Sequence, residues 1–356
     1  MKRITIVTQT FPPRTGGMES VMFSLANNLS SLDWAICVVA NKSLPGKFKF
    51  EHYSISVPKL IRNVAKRIFL SFKDKPDLYL CDSWKSVEAI PQNNIPIVVL
   101  AHGQEYLDTK KSKRIVQALN RAEKIVSSSK ATIELITALN KEQASKAICI
   151  YPTYGLYENH ISIPEYSSDA PLKILSLSRI EKRKGLFQSA LALRELHIEG
   201  YNLEWNIAGS GPDLEELKLS CTDLPFVKFL GRVDDQEKDD LYSSHQLFLM
   251  PSYQEGLSLE GFGITYIEAA QFGLASIGGI AGGAKEAVID GLTGWSVDGS
   301  NRLEIRAAIT EAYSNRKLLS EYGNNAKQRF DNELVSDKVT NNLSKILINV
   351  IDSSGN

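Results

Sequence analysis

Apolar positions along this chain come in short unbroken runs rather than in alternation. In the first half they are "RITIVT" (3–8), "AICVVA" (35–40), "LYLCD" (78–82), "PIVVLAH" (96–102), "KIVSSS" (124–129) and "AICIYP" (147–152). In the second half they are "LKILSLS" (172–178), "LEWNIAG" (203–209), "VKFLG" (227–231), "QLFLMPS" (246–252) and "ASIGG" (275–279). Between them lie stretches of helical period, among them 19–31, 185–200, 235–244, 264–273 and 302–314. Unbroken apolar strands separated by helices predict parallel sheets covered on both faces.

The series restarts near residue 172. The intervening "TYGLYENHISIPEYSSDAP" (153–171) has no clear period and carries Pro, Ser and Gly, so it reads as a linker. The pattern predicts two doubly wound α/β domains, 1–152 and 172–334. A last helical stretch, 335–352, is expected to pack back on the first domain. Such sheets bind ligands outside the carboxyl ends of their strands, so each loop after a strand is a candidate site.

A length of 356 residues fits two domains at about 100–200 residues each. The formal net charge of zero hides an asymmetry. Residues 1–150 hold 22 Lys+Arg and 12 Asp+Glu, a balance of +10; the remainder holds 19 and 29, a balance of −10. A basic half suits an anionic partner such as a phosphorylated substrate or a membrane surface, and it is also what two mutually steering faces would show. A nucleic-acid partner is disfavoured because aromatic residues are sparsely interleaved there. Four scattered cysteines without a Cys-x-x-Cys pair read as reduced thiols. The opening "MKRITIVTQTFPP" is too soon broken for a signal peptide, and no run approaches the ~18–20 apolar residues of a membrane span. A cytoplasmic protein is expected, or one lying on the inner face of the membrane.

The loops after the strands carry the chemistry. "QTFPPRTGGMES" sets Gly16 and Gly17 before a helix, where backbone amides and the helix dipole can meet a phosphate; a plain turn needs the same pair. It is not the Gly-x-Gly-x-x-Gly of nicotinamide binding. His102 stands at a strand end before a glycine. "SRIEKRKG" places Arg179 at a strand end and Lys184 before Gly185, an arrangement suited to clamping a pyrophosphate. Lys182 and Arg183 read as a solvated face. Gly209 and Gly211 of "AGSGPD" would allow the backbone close to a flat ligand such as a base. "DDQEKDD" (234–240) reads as a solvated helix start, and no cluster suggests a metal site.

The densest stretch is "EGFGITYIE" (260–268), two carboxylates eight positions apart with glycines between. A helix is expected from Gly263 or Ile264. Gly261 and Gly263 free the amides from Gly261 to Ile264 to point at an anion at the helix N-terminus. Glu260 then lies in the loop, and Glu268 about 7 Å along the helix axis. One element thus offers a carboxylate for sugar hydroxyls, amides for phosphate and a carboxylate for a ribose diol, the layout of a nucleotide sugar. A hydrolytic pair would need both acids at one glycosidic bond, ~5–9.5 Å apart.

Taken together, "FPPRTGG", "AHGQE", "SLSRIEKRKG", "GSGPDLEEL", "FLGRV" and "EGFGITYIEAAQFGLASIGGIAGGAKEAV" resemble, in order and over nearly the whole chain, the retaining glycosyltransferases of family 4 (group 1). The last run is especially like the branch of phosphatidylinositol-mannoside mannosyltransferases. The resemblance implies the GT-B fold, two Rossmann-like domains facing across a cleft. It implies transfer of a hexose, mannose-type favoured, to a glycan or lipid-linked acceptor in cell-surface polysaccharide or glycolipid synthesis. The donor would be GDP-mannose or a UDP-sugar, with no cofactor and no metal. Carried over by position, His102, Arg179, Lys184 and Glu260 would be catalytic. Gly16, Gly17, Gly209, Gly211, Arg232, Gly261, Phe262, Gly263, Ile264 and Glu268 would bind the donor. A nucleotide-sugar epimerase on the same fold, or a non-catalytic partner of a transferase, are the alternatives. Two turns depart from the family pattern: "YPTYGLY" (151–157) lacks the usual Asp, and "GGAKE" (282–286) has Lys285 where Pro is usual.

One motif lies outside this scheme. Residues 59–73, "KLIRNVAKRIFLSFK", place Leu60, Ile61, Val64, Ala65, Ile68, Phe69 and Phe72 on one helical face and Lys59, Arg62, Lys66, Arg67 and Lys73 on the other. Such a helix lies on an anionic membrane or packs its apolar face into a core. The resemblance favours the membrane.

Overall fold

The computed structural model of the chain describes residues 1–14, 16–42, 45–157 and 170–354. They fall into two compact units, Met1–Tyr157 with Val335–Asn356, and Glu158–Leu334. Most of the expected linker lies outside the described residues.

The first unit holds β1 (Arg3–Val7), β2 (Ala35–Ala40), β3 (Glu51–Ser54), β4 (Leu78–Cys81), β5 (Ile97–Ala101), β6 (Lys124–Ser127) and β7 (Ala147–Cys149), in the order β3-β2-β1-β4-β5-β6-β7. The second holds β8 (Leu172–Leu177), β9 (Leu203–Ala208), β10 (Val227–Gly231), β11 (Leu247–Met250), β12 (Ala275–Gly279) and β13 (Gly294–Val297), in the order β10-β9-β8-β11-β12-β13. Every pairing between these strands is parallel. The inner strands are buried nearly throughout, as β4, β5, β11 and β12 illustrate, which is why their sequences do not alternate. β3 and β13 were not expected. Both are short edge strands, and "EHYS" is polar because it is only half covered.

Several expected strands end one to three residues early, leaving Thr8, Asp82, His102, Ser178 and Ser252 in the loops beyond them. The final helix, Ser336–Ser354, belongs to the first unit and packs on the helix Gly17–Ser31. Asn28 Nδ2 donates to Ser336 Oγ at 2.7 Å, and Trp34 Nε1 to Ser344 Oγ at 2.9 Å.

The basic amphipathic segment folds as the helix Arg62–Phe72, but its faces differ from expectation. Lys66, expected on the polar side, is buried beside Leu70 and donates from Nζ to Thr8 O at 2.6 Å. The inward stripe is Lys66, Phe69 and Leu70, at helical spacing. Leu60 and Phe72 are 97% and 88% exposed, and Ile61, Val64 and Ile68 are exposed with them. Among the described residues no helix is long and apolar enough to cross a membrane.

Candidate functional site

In each sheet the strand order reverses once, between β1 and β4 and between β8 and β11. Loops leaving those strands diverge and open a crevice at their carboxyl ends. The residues singled out from sequence lie in the segments that follow β1, β5, β8, β9, β10 and β11, and among them Lys184 and Glu260 are brought into contact.

In the second unit the loop after β8 carries a 3-10 turn, Lys182–Lys184. At three residues per turn, successive side chains point about 120° apart. Lys182 therefore faces outward, paired with Glu216 at 3.0 Å, while Arg183 and Lys184 turn inward. Arg183 is thus not part of a solvated face: its side chain is 13% exposed. Lys184 Nζ donates to Glu260 Oε2, and Arg183 Nη1 donates to the same oxygen at 3.1 Å. Arg183 Nε also donates to Glu181 Oε2 at 3.0 Å. Arg179, by contrast, is exposed and reaches Glu181 Oε1 at 3.1 Å. Burial alone would raise the Glu260 carboxyl, but Lys184 and Arg183 outweigh it and hold it below its ordinary range.

Glu260 precedes a turn that ends at Gly263, which caps the helix Ile264–Gln271 with φ +90°. A side chain there would be strained, and its Cβ would sit 2.5 Å from the Tyr266 ring. Phe262 is buried, so only its backbone is available to a ligand at this turn. Glu268, in the second turn of the helix, accepts from Tyr242 Oη at 2.8 Å through Oε2; its Oε1 lies 3.9 Å from Lys238 Nζ. Burial, then Glu268, pushes the Tyr242 phenol well up, so it remains a donor. Arg232 is exposed and donates to Ser210 Oγ at 2.8 Å.

Gly209 and Gly211 have another reason than a flat ligand. A Cβ would fall 1.9 Å from Ser178 O at the first and 2.0 Å from Ile180 O at the second. The chain's own backbone after β8 requires these glycines. The cluster 234–240 is structural, as expected: Asp234 accepts from Glu237 N at 2.9 Å and the Glu237 carboxylate returns the bond, a capping box.

In the first unit, Gly16 caps the helix Gly17–Ser31. The first turn already holds an anion, the buried carboxylate of Glu19, with Arg14 Nε 3.0 Å from its Oε1. His102 follows β5, and its Nε2 lies 2.8 Å from Asp82 O. A carbonyl only accepts, so the proton facing it is assigned to Nε2; Nδ1 is buried with no hydrogen-bond partner among the described residues. Sequence reasoning missed Asp82, the hub of this end. Its Oδ2 accepts from Thr8 Oγ1 at 2.9 Å, Gln9 N at 2.7 Å, Thr10 N at 3.1 Å and Thr10 Oγ1 at 2.9 Å, while Ser86 Oγ donates to Oδ1. The available signal was an acid closing an otherwise apolar strand at the sheet's reversal. Among the described residues no group of three His, Cys, Asp or Glu could hold a metal ion, and all four cysteines are free.

Two parallel-sheet α/β units with charged loops at both points of reversal define a protein of the GT-B fold. Solved structures share it: a sucrose-phosphate synthase of Thermosynechococcus elongatus aligns with TM-score 0.82 at 17% identity, covering 99% of this chain and 100% of that one. HepE of Anabaena, in complex with UDP-glucose, aligns at 0.77 and 18%, covering 98% and 100%. Residues 161–329, just under half of the chain, match the family described as "Glycosyl transferases group 1". The GDP-mannose-dependent alpha-(1-6)-phosphatidylinositol monomannoside mannosyltransferase of Mycolicibacterium smegmatis is 33% identical over 160 residues, 44% of this chain and 42% of that protein. The D-rhamnosyltransferase WbpZ of Pseudomonas aeruginosa is 32% identical over 136 residues, 37% and 35% of the two chains. The matched stretches span less than half of these relatives.

Proposed function

We propose that this protein is a retaining hexosyltransferase that moves a mannose-type sugar from a nucleoside diphosphate donor to a glycan or lipid-linked acceptor in cell-surface polysaccharide or glycolipid synthesis. The observation that carries the reading is one element, Glu260 to Glu268. A carboxylate held by two buried cations leads into a glycine-capped helix that bears a second carboxylate on its next turn. The relatives named for GDP-mannose and the fold neighbour crystallised with UDP-glucose support the same donor class.

In this reading Glu260 holds hydroxyls of the transferred sugar, the amides from Gly261 to Ile264 meet the distal phosphate, and Glu268 binds the ribose. Arg179 and Lys184 stabilise charge on the departing diphosphate, the largest electrostatic demand of the step. His102 offers Nδ1 to the sugar. The bond between the anomeric carbon and the phosphate oxygen breaks while the acceptor oxygen bonds that carbon from the same face. The acceptor's proton passes to the departing phosphate oxygen. Cationic side chains and the helix N-terminus supply the counter-charge, so no metal is assigned a role.

The outward apolar stripe of the helix Arg62–Phe72 and its neighbouring Arg62, Arg67 and Lys85 fit a peripheral position on an anionic membrane. Sedimentation with anionic liposomes at low salt tests this, and failure to sediment removes it. The reaction is tested by a thermal-shift screen against GDP, UDP, ADP and their sugar conjugates. A ligand bound only by the folded state at a hundredfold its dissociation constant adds about 2.7 kcal/mol. A selective shift that disappears in Glu268→Ala supports the transferase and names the donor. No shift with any nucleotide favours a non-catalytic partner.

A further inference from the structure

Three consecutive cations, Lys182, Arg183 and Lys184, have three different fates. Lys182 is spent on a surface pair and Lys184 is buried against Glu260. Arg183 bridges two carboxylates, Nε on Glu181 and Nη1 on Glu260. Its backbone is fixed as well, since Tyr253 N donates to Arg183 O at 2.8 Å, tying this turn to the loop that carries Glu260. Gly185, φ +76°, closes the turn where a Cβ would lie 2.1 Å from Pro251 O.

Both cations on Glu260 choose the same oxygen. Oε2 takes Lys184 and Arg183, whereas Oε1 has no hydrogen-bond partner among the described residues. We propose that Arg183 is a positioning residue: it fixes Glu260 so that Oε1 is the oxygen presented to a ligand hydroxyl, and through Glu181 it couples that orientation to Arg179. This rests on the reading that Glu260 holds the transferred sugar. A planar guanidinium can hold two carboxylates in one geometry, which an ammonium on a flexible stem cannot, so lysine is not an equivalent here.

The groups facing Glu260 are few. Lys184 and Arg183 come from the turn after β8, with Glu181 behind Arg183. Tyr266 comes from the following helix, its phenol pushed up by burial and by Glu260, and so neutral. The Gly282–Gly283 segment contributes backbone alone, Gly283 N donating to Glu260 O at 3.0 Å. A sugar-binding Glu260 must be ionised, so activity falls as pH drops through its pKa. Loss of one of its two cations raises that pKa, and the acid limb moves to higher pH.

The experiment compares wild type with Arg183→Gln and Arg183→Lys. It follows UDP and GDP binding by calorimetry, kcat and KM with the donor sugar across pH, and Glu260 titration by carbon-13 NMR. The inference expects diphosphate Kd within about threefold of wild type and kcat/KM lowered roughly tenfold to a hundredfold. The acid limb should move up by about one unit in Arg183→Gln, with no rescue of kcat/KM by lysine. An unmoved acid limb, or a loss of diphosphate binding as large as the loss of kcat/KM, overturns it; the latter would make Arg183 a phosphate ligand. If Arg183→Gln fails to fold, Glu181→Gln replaces it: it keeps the Arg183–Glu260 contact and removes a neighbouring negative charge, so the acid limb should move to lower pH; a lowered kcat/KM with diphosphate Kd within about threefold of wild type supports the coupling, and an unchanged kcat/KM overturns it. A wild-type protein that binds neither diphosphate overturns the transferase reading, and the positioning role with it, whatever the NMR titration shows.

Discussion

Lys184→Met tests whether the Glu260 cluster is built as described. Lys184 is 7% exposed and its Nζ touches a carboxylate whose side chain is 14% exposed. Removing one partner of a buried pair costs about 3–5 kcal/mol, because the other charge stays behind. Here Arg183 remains on the same oxygen at 3.1 Å, so the carboxylate is not abandoned and the expected cost falls to about 2–3 kcal/mol. For a unit of this size each kcal/mol moves the melting point by about 2–4 °C, giving a fall of about 5–10 °C. The assay is scanning calorimetry without nucleotide, at neutral pH and again near pH 4. Glu260 is held below its ordinary range in the folded state, so its contribution is present above the unfolded carboxyl pKa and lost as pH falls through the folded one. The gap between wild type and variant should therefore narrow in acid. In the cycle with Glu260→Gln, the double variant should be less unstable than the sum of the single ones by about 1–3 kcal/mol. A Lys184→Met protein melting within about 1 °C of wild type, or a cycle additive within ~0.5 kcal/mol, would refute the reasoning.

Three further outcomes follow from the same geometry. Gly209→Ala places a methyl 1.9 Å from Ser178 O at φ +130° and should cost more than about 3 kcal/mol, seen as loss of soluble protein or a collapsed melting point; Gly17→Ala, with nothing within 4 Å, should stay within about 1 kcal/mol of wild type. Tyr242→Phe removes the donor to Glu268 Oε2 and should weaken nucleotide binding by about fivefold, against about tenfold to a hundredfold for Glu268→Ala, both measured by calorimetry. Burial, opposed by Asp82, brings the Lys66 ammonium down to about 8. Between that value and the unfolded one near ~10.4 the unfolded chain binds the extra proton, so stability rises with pH. Urea midpoints at pH 7.5 to 9.5 should show wild type gaining on Lys66→Met by up to about 1.4 kcal/mol per unit.

Much of this could be read from the chain. The inner strands, buried on both faces, carry unbroken apolar runs and were visible as such, and the edge strands β7 and β10 were visible as well although they are partly exposed; β3 and β13, edge strands of four residues each with the sequences "EHYS" and "GWSV", lack such a run and were not. The start of the helix at Ile264 was legible because a glycine pair must precede a turn of that kind. Direction of side chains was the weak point. Sequence cannot separate the fates of 182–184, since a 3-10 turn and an α-helix point the same residues differently. Lys66 reads as one more solvated cation until Thr8 O and the nearby Asp82 give it an inward destination. Gly209 and Gly211 were read as facing a ligand when their free side faces the protein's own strand end.

The charges at the carboxyl end of β8 decide which group can respond to a ligand. Arg179, Arg183 and Lys184 contribute three positive charges against two negative ones, Glu181 and Glu260, leaving +1 before any phosphate arrives. These cations are not equally available. Lys184 and Arg183 are buried against Glu260, and drawing either away would strand a carboxylate of low accessibility, a cost of several kcal/mol. Arg179 has a side chain 69% exposed and a single partner at 3.1 Å, a contact worth about 0–1 kcal/mol. A diphosphate can draw Arg179 off Glu181 at almost no cost, and the released Glu181 still has Arg183. The buried pair therefore holds the Glu260 carboxylate still, while the exposed Arg179 is the member left free to move, and in the proposed reaction it is the one that would follow the leaving group.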